Sequence, residues 1–495
     1  MHGLLASSIG VTCAAALALP LSPPAAATPA APAADTATAP GAPAAPDTRD
    51  RTPELPELPG STQSLPLAPL TRAPGPATEQ GLTRRDVRHF SLVGVIWDDP
   101  ATELHGSVQV RTRAAGTGTW SDWQDVETHN ADHGADPDTA ERTSGRVRGA
   151  TAPLWVGDSD GVEVRVRADS DTAPAPRPPA DTRELRTSTG PASPLPSGLR
   201  LELVDPGADD TGERVGGAPP LHAPVHVPRT GPLRNPYDPT ALTAEASAAS
   251  ATNTDLLRVP LGATDIPALT RAETEQELST LEGGELTEQQ RAKPYIGPRP
   301  HIVTRRGWGA DESLRERTFV YTSKVKAAFV HHTASGNKYK CSQSPSLIRG
   351  IYRYHVKSMG WRDIGYNFLV DKCGTIYEGR AGGVAKPVMG AHTLGFNTNS
   401  MGIAVLGTFG SSKPSSSAVK GIARLTAWKL GLFGANPNGK TYLKSGGGNL
   451  YAKGRNVRLH VISGHRDGFA TECPGRQLYG KLGSARSTAA RYQGR

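Results

Sequence analysis

Prolines set the first limit on what this chain can fold into: 43 of its 495 residues are proline, and they crowd into the first three hundred. Each one removes a backbone donor and interrupts helix and sheet interiors, so regular structure there comes in short pieces between breaks. Aromatic residues make up only 5%, fewer than a continuous core of this length would need. The chain is therefore expected to hold separate folded domains joined by disordered stretches.

Residues 1–34 contain no Lys, Arg, Asp or Glu, and Leu4 to Leu21 is apolar or small. With small residues through Ala27, residues 1–27 read as a secretory signal peptide, too short and too soon proline-rich for a membrane span. After its removal no integral membrane segment is expected. Residues 28–85, rich in Ala, Pro and Thr, read as disordered, because they bury too little apolar area to offset ordering entropy. Residues 86–206 carry period-two runs: Phe90–Trp97, Ser107–Arg113, Trp120–Val126, Val162–Ala168 and Leu199–Val204. They predict a small all-β sandwich, an accessory domain, with Trp97, Trp120, Trp123 and Trp155 read as core rather than as a sugar platform. Residues 207–297 read as linker, with some helical tendency over Leu269–Gln290.

Residues 298–490 alternate strand and helix signals. Lys326–His332 is an apolar strand. Ser344-Pro345 opens a helix, with Leu347, Ile348, Ile351, Tyr352 and His355 as its buried stripe. Tyr366–Val370 and Thr375–Glu378 form a hairpin, Met401–Leu406 and Val457–Ile462 are strands, and Ala418–Leu430 and Arg476–Tyr492 are helices. The fold class is α/β: a C-terminal mixed sheet with helices on it, preceded by the sandwich and the disordered linkers.

Chemistry-bearing residues concentrate in two places, His331-His332 and His465 through Cys473. Two imidazoles and a thiolate form a set that zinc accepts, leaving a fourth position for water. Successive strand side chains point to opposite faces, so only one of His331 and His332 can be the ligand. By the same alternation Thr471 shares a face with Cys473 while Glu472 points away. Beyond the signal, Cys341, Cys373 and Cys473 make an odd number for an exported chain; two can pair, and the third needs another job, such as ligating a metal.

The segments Phe329-Val330-His331-His332-Thr333-Ala334, Gly360-Trp361-Arg362-Asp363-Ile364-Gly365-Tyr366-Asn367-Phe368, Ile376-Tyr377-Glu378-Gly379-Arg380, Gly390-Ala391-His392 and Gly464-His465-Arg466-Asp467 through Cys473-Pro474-Gly475 resemble, in order, the peptidoglycan recognition protein family. That family belongs with the type-2 N-acetylmuramoyl-L-alanine amidases, and the likeness spans roughly residues 298–490. The N-terminal half more weakly resembles the accessory region of secreted actinobacterial members. The resemblance implies a zinc ion held by His331, His465 and Cys473, a catalytic Tyr366 and a second polar catalytic position at Thr471. It implies hydrolysis, since members that only bind lack a cysteine at the place of Cys473. His392 and Arg380 would border the peptide groove, and His332, the ligand's neighbour, is taken with them as substrate-binding. By placing Cys473 on the metal, the resemblance also implies a disulfide between Cys341 and Cys373.

Zinc lowers the pKa of a bound water from 15.7 towards ~7, and Tyr366 and Thr471 can donate to the oxyanion formed when the amide between muramic acid and L-alanine is attacked. Each His ligand needs an acceptor for its other ring N–H. Asp467 is one option, although a turn-stabilising role suits it better. His355 and His460 read as structural. Gly382–Pro387 departs from the animal pattern, so the diamino acid of the stem peptide is not read.

Residues 299–495 carry 31 Lys and Arg against 8 Asp and Glu, whereas residues 1–298 carry 24 against 39. The basic half suits anionic partners, peptidoglycan carboxylates and anionic wall polymers first, in a secreted or wall-associated protein. A nucleic-acid partner is not expected, because the aromatic platforms of single-strand binders are missing. Two rivals share the site: a non-hydrolytic wall-binding protein, and a zinc peptidase cutting within the stem peptide.

Overall fold

The computed structural model describes residues 60–70, 78–169, 194–208, 242–281 and 293–495. The expected signal peptide lies outside the described residues, as do residues 28–59 and, of the expected linker, residues 209–241 and 282–292.

The N-terminal sheet holds β1 (Ser61–Pro66), β2 (Ala68–Pro69), β3 (Glu79–Trp97), β4 (Gly106–Ala114), β5 (Gln124–Val126), β6 (Gly149–Ala150), β7 (Leu154–Ala168) and β8 (Arg200–Asp205). It is antiparallel throughout, in the order β1-β8-β3-β7-β4-β5, with β2 and β6 on β3. Three register shifts between β3 and β7 mark where the long strand bends. One apolar cluster, with Phe90, Val93, Val110, Val164 and Leu203, fills this domain. Trp97 and Trp155 are buried as expected, but Trp120 and Trp123 are only half-buried and lie under the guanidinium groups of Arg84, Arg111 and Arg165. The expected disorder of residues 28–85 fails where it can be checked. Ser61–Pro66 pairs along its whole length with β8, through backbone groups that composition does not reveal.

Two helices, α1 (Ala244–Leu257) and α2 (Arg271–Leu281), fall in the stretch read as linker. Leu257, Ile266 and Leu278 are buried in the C-terminal core, so that domain begins well before residue 298.

The second sheet contains β9 (Asp265–Ile266), β10 (Ile302–Val303), β11 (Ala327–His332), β12 (Phe368–Val370), β13 (Ile376–Glu378), β14 (Ser400–Val405) and, after the separate hairpin β15 (Lys440–Lys444) and β16 (Asn456–His460), β17 (Ile462–Gly464). Its order is β17-β11-β14-β12-β13-β10-β9, parallel from β17 to β12 and mixed beyond. Every residue of β11 and β14 is buried, as continuous apolar runs demand when helices cover both faces. Helix α3 (Ser344–Arg353) covers one face with Leu347, Ile348 and Ile351. Helices α4 (Ser416–Gly431) and α6 (Leu482–Tyr492) cover the other, with the short α5 (Arg476–Tyr479) between them in sequence. The expected single helix 476–492 is thus split at Gly480-Lys481. The expected strand Val457–Ile462 is split between two sheets, because its alternation satisfies either.

The two sheets do not sit apart. Leu92, Ile96, Trp155 and Val204 of the first share an apolar cluster with α3. After α3 a π-helical turn, Tyr354–Ser358, points the Tyr354 hydroxyl at the Thr151 carbonyl, 3.1 Å away, and the Ser358 hydroxyl donates to Glu202 at 2.7 Å. A Cβ on Gly94 would strike the Tyr354 hydroxyl at 2.4 Å, which is why the strand carries glycine there. Among the described residues, no helix is long and apolar enough to cross a membrane.

Candidate metal centre

Parallel pairing brings the site together. β17 lies beside β11 with Gly464 opposite Val330, so both strands deliver their next residues, His331 and His465, to one sheet edge. His465 opens a tight turn closed by Gly464 N–H donating to Asp467 at 2.9 Å, and Tyr479 donates to the same carboxylate at 2.7 Å. Asp467 therefore stabilises the turn. The chain returns with Cys473, whose carbonyl accepts Arg466 N–H at 3.0 Å.

A fourth group completes the set, and it comes from the other sheet. His133 lies in the long connection, residues 127–148, between β5 and β6. One ligand atom from each of His133, His331, His465 and Cys473 falls within 4.8 Å of all the others, and all four residues are buried. His331 Nδ1 is 3.1 Å from His465 Nδ1, and Cys473 Sγ is 3.8 Å from His331 Nδ1 and 3.9 Å from His133 Nε2. Tetrahedral zinc bonds of about 2.0–2.1 Å to nitrogen and about 2.3 Å to sulfur would separate N from N by roughly 3.3–3.4 Å and N from S by roughly 3.6 Å. The donor set fits a metal ion in size and chemistry.

Electrostatics agree. Burial, then the neighbouring His465 and His392, pushes His331 well below the usual imidazole value, and burial brings His465 down to about 3. Neutral imidazoles are what a cation requires. Burial raises the Cys473 thiol well above its usual value, a shift that a bound cation would reverse. Asp132 stays ionised despite burial, held below the usual carboxylate range by His133 and His465. Its Oδ1 is 2.9 Å from His133 Nδ1, which puts the ring proton on Nδ1 and leaves the Nε2 lone pair facing the thiol.

The residues expected at the site do not all stand where they were placed. Tyr366 does: its ring is 5.5 Å from that of His331. Burial first, then Cys473 and Asp132, keeps its phenol protonated. Tyr366, Thr471, His332 and Cys473 line one small cavity together with His133. Thr471 accepts the Cys473 N–H at 3.2 Å. His332 Nδ1 accepts Phe409 N–H at 3.3 Å, and burial, then His133, lowers its imidazole to about 4. His392 is a correction: it has no exposed surface to offer a substrate. Its Nδ1 lies 3.3 Å from His331 Nε2, where it orients the ligand ring. Arg380 is also buried, paired at 2.9 and 2.8 Å with both oxygens of Glu141 from the connection that carries His133. His355 packs on Trp361 and accepts Gly365 N–H, a structural role as expected. Cys341 and Cys373 are disulfide-bonded, Cα to Cα 6.3 Å. A cleft of about 820 Å³ near α1 and α3 shares no residue with the four ligand groups.

Sequence reasoning missed His133, Asp132 and Glu141. A connection of this length without regular structure is usually functional, and that was the only signal available.

Fold and cluster together define an α/β protein with a buried cluster of three imidazoles and one thiol that could hold a metal ion. Comparison makes the class specific. Residues 321–476 match the family described as N-acetylmuramoyl-L-alanine amidase, and residues 46–184 match the Rv3811 N-terminal galactose-binding domain-like family. Peptidoglycan-recognition protein SC2 of Drosophila simulans is 33% identical over 184 residues, 37% of this chain and 84% of that protein. Peptidoglycan-recognition protein LE of Drosophila melanogaster is 37% identical over 126 residues, 26% of this chain and 35% of that one. The solved structure of wild-type Drosophila PGRP-LB aligns with 37% of this chain and 92% of its own, at 24% identity and a TM-score of 0.29. The chain belongs to the peptidoglycan recognition protein and type-2 amidase family.

Proposed function

We propose that the chain is an exported zinc amidase that hydrolyses the bond between N-acetylmuramic acid and L-alanine in bacterial peptidoglycan. The observation that carries this reading is the convergence of His331, His465 and Cys473 at spacings that suit zinc. The disulfide suits an oxidising, extracytoplasmic setting.

When bound, zinc supplies Lewis acidity, polarising a carbonyl and making water nucleophilic near neutral pH. The chain's own residues do the rest. Tyr366, kept protonated, offers its O–H to the oxygen that gains charge, and the Thr471 hydroxyl lies in the same cavity. His392 fixes the His331 ring. The walls around the cluster exclude water and strengthen these contacts. A second reading, recognition without hydrolysis, draws on His133, which stands where an open catalytic position would be.

The test is digestion of purified peptidoglycan by the zinc-loaded chain with mass analysis of the products. Muramic acid freed of peptide, appearing together with a new L-alanine amino terminus, supports the amidase. Cuts within the stem peptide would make it a peptidase. Binding with no cut by the chain or by any His133 variant would leave recognition.

A further inference from the structure

Residues 127–148 leave one sheet and embed in the other domain. His133 is their tip, and it meets three groups that already suffice for a catalytic metal. Resting on the zinc reading above, we propose that His133 is a fourth, displaceable metal ligand, so that this chain is latent until the connection carrying it withdraws.

Three observations point the same way. First, His133 is prepared as a ligand. Asp132 accepts its Nδ1–H, both residues are buried, and Nε2 faces Cys473 Sγ at 3.9 Å. A catalytic zinc site keeps its fourth position for water or substrate, whereas four protein ligands make a closed, structural-type site. Second, the connection is clamped onto the segment that carries His392. Asp136 accepts Gly395 N–H at 2.8 Å and the Asn397 side chain at 2.7 Å, Asn397 also donates to the Gly134 carbonyl, and Leu394 N–H reaches the Asp132 carbonyl at 3.0 Å. Third, Glu141 takes both η nitrogens of Arg380 and the Arg362 N–H, so a buried guanidinium is already occupied by an internal carboxylate.

The clamp is also reversible in kind. The contacts around His133 are mostly polar groups, each of which water or a substrate could satisfy, and the connection adds only Ala135 and Val147 to the shared apolar cluster. Withdrawal exchanges one neutral nitrogen ligand for an oxygen of water or substrate, with no change in charge at the site. The β-domain that carries the connection is then both the cover and the handle by which wall contact could remove it.

The test uses the full chain loaded with cobalt in place of zinc, with acetohydroxamate as the probe of an open position. Wild type should bind one cobalt, show a four-coordinate spectrum that acetohydroxamate leaves unchanged, and hydrolyse peptidoglycan slowly. His133→Ala should keep the cobalt, lose it to a chelator at least tenfold faster, respond to acetohydroxamate, and cut the amide at least tenfold faster. Glu141→Gln keeps all four ligands and should fall between the two, so it decides the matter if the first variant misfolds. Equal spectra and equal rates in all three overturn the role of His133 while leaving a metal amidase. Loss of both metal and hydrolysis in His133→Ala also overturns it, because the ligand would then be indispensable. Failure of the wild-type chain to bind cobalt at all would sink the metal reading and this inference together.

Discussion

The ligands of the C-terminal sheet and the ligand of the β-domain are held by different physics. His331 and His465 stand at the ends of adjacent parallel strands, each locked by ladder hydrogen bonds and an apolar core on both faces. His133 stands on a connection without regular structure, held by a handful of buried polar contacts. Elements of the first kind open only with global unfolding, whereas the second kind can open locally at lower cost. The comparison teaches that one side of the centre is built to persist and the other to move.

The largest expected effect tests the persistent side. Cys473→Ser removes the soft anionic ligand and leaves three imidazoles, so the metal should be held more weakly and amide hydrolysis should fall to background, with wall binding retained. Full activity in that variant would remove the metal from the chemistry.

Next comes Tyr366→Phe, which deletes one donor and keeps the ring. Losing one oxyanion donor costs roughly 10²–10³ in rate, and zinc content should not change. This is best measured on a His133→Ala background, where the site is open. A rate within twofold of the parent would take Tyr366 out of the mechanism.

The disulfide sharpens the comparison through stability. Its sequence separation is 32, for which the loop-entropy argument gives about 3–4 kcal/mol. Denaturation with Cys341 and Cys373 both replaced by Ala should show that loss, while resistance of the metal to chelator in the folded state stays the same. A drop in chelator resistance would mean that the disulfide, not the clamp, controls access.

The smallest effect is a pH dependence. Burial, with His133 next, holds His355 well below the usual imidazole value of 6.5. A depressed imidazole binds fewer protons folded than unfolded. Its contribution is therefore complete above pH 6.5 and is lost as pH falls below it, by at most about 1.4 kcal/mol per pH unit. His355→Asn, which keeps an acceptor for Gly365 N–H, should flatten that acid limb in denaturant titrations. An unchanged slope would remove His355 from the pH dependence.

How much was legible in the sequence follows from the same contrast. β11 and β14 could be read because a strand covered on both faces must be apolar throughout. His331, His465, Cys473 and Tyr366 could be read because they sit in ordered motifs on or beside those strands. Helix α1 could not: its buried stripe is Ala249, Asn253 and Leu257, only one of them large and apolar, so its composition looks like linker. Strand β1 is held by backbone pairing, which leaves little trace in side chains. His133 was the least legible, because a ligand contributed across two sheets has no characteristic spacing from its partners. One histidine among 14 announces nothing until the fold brings it to the others. His392 and Arg380 were found by motif but given the wrong surroundings: His392 lies buried against His331, and Arg380 is paired with Glu141 of the β-domain connection.

The central claim, a metal centre shared between the two domains, is tested most directly by anomalous scattering at the zinc edge from crystals of the zinc-loaded full chain. The account predicts one zinc bonded to His331, His465, Cys473 and His133, with no oxygen ligand. An ion at the three sheet-side groups with water in the fourth place and His133 withdrawn would contradict the closed centre, and no ion at these residues would contradict the metal site itself.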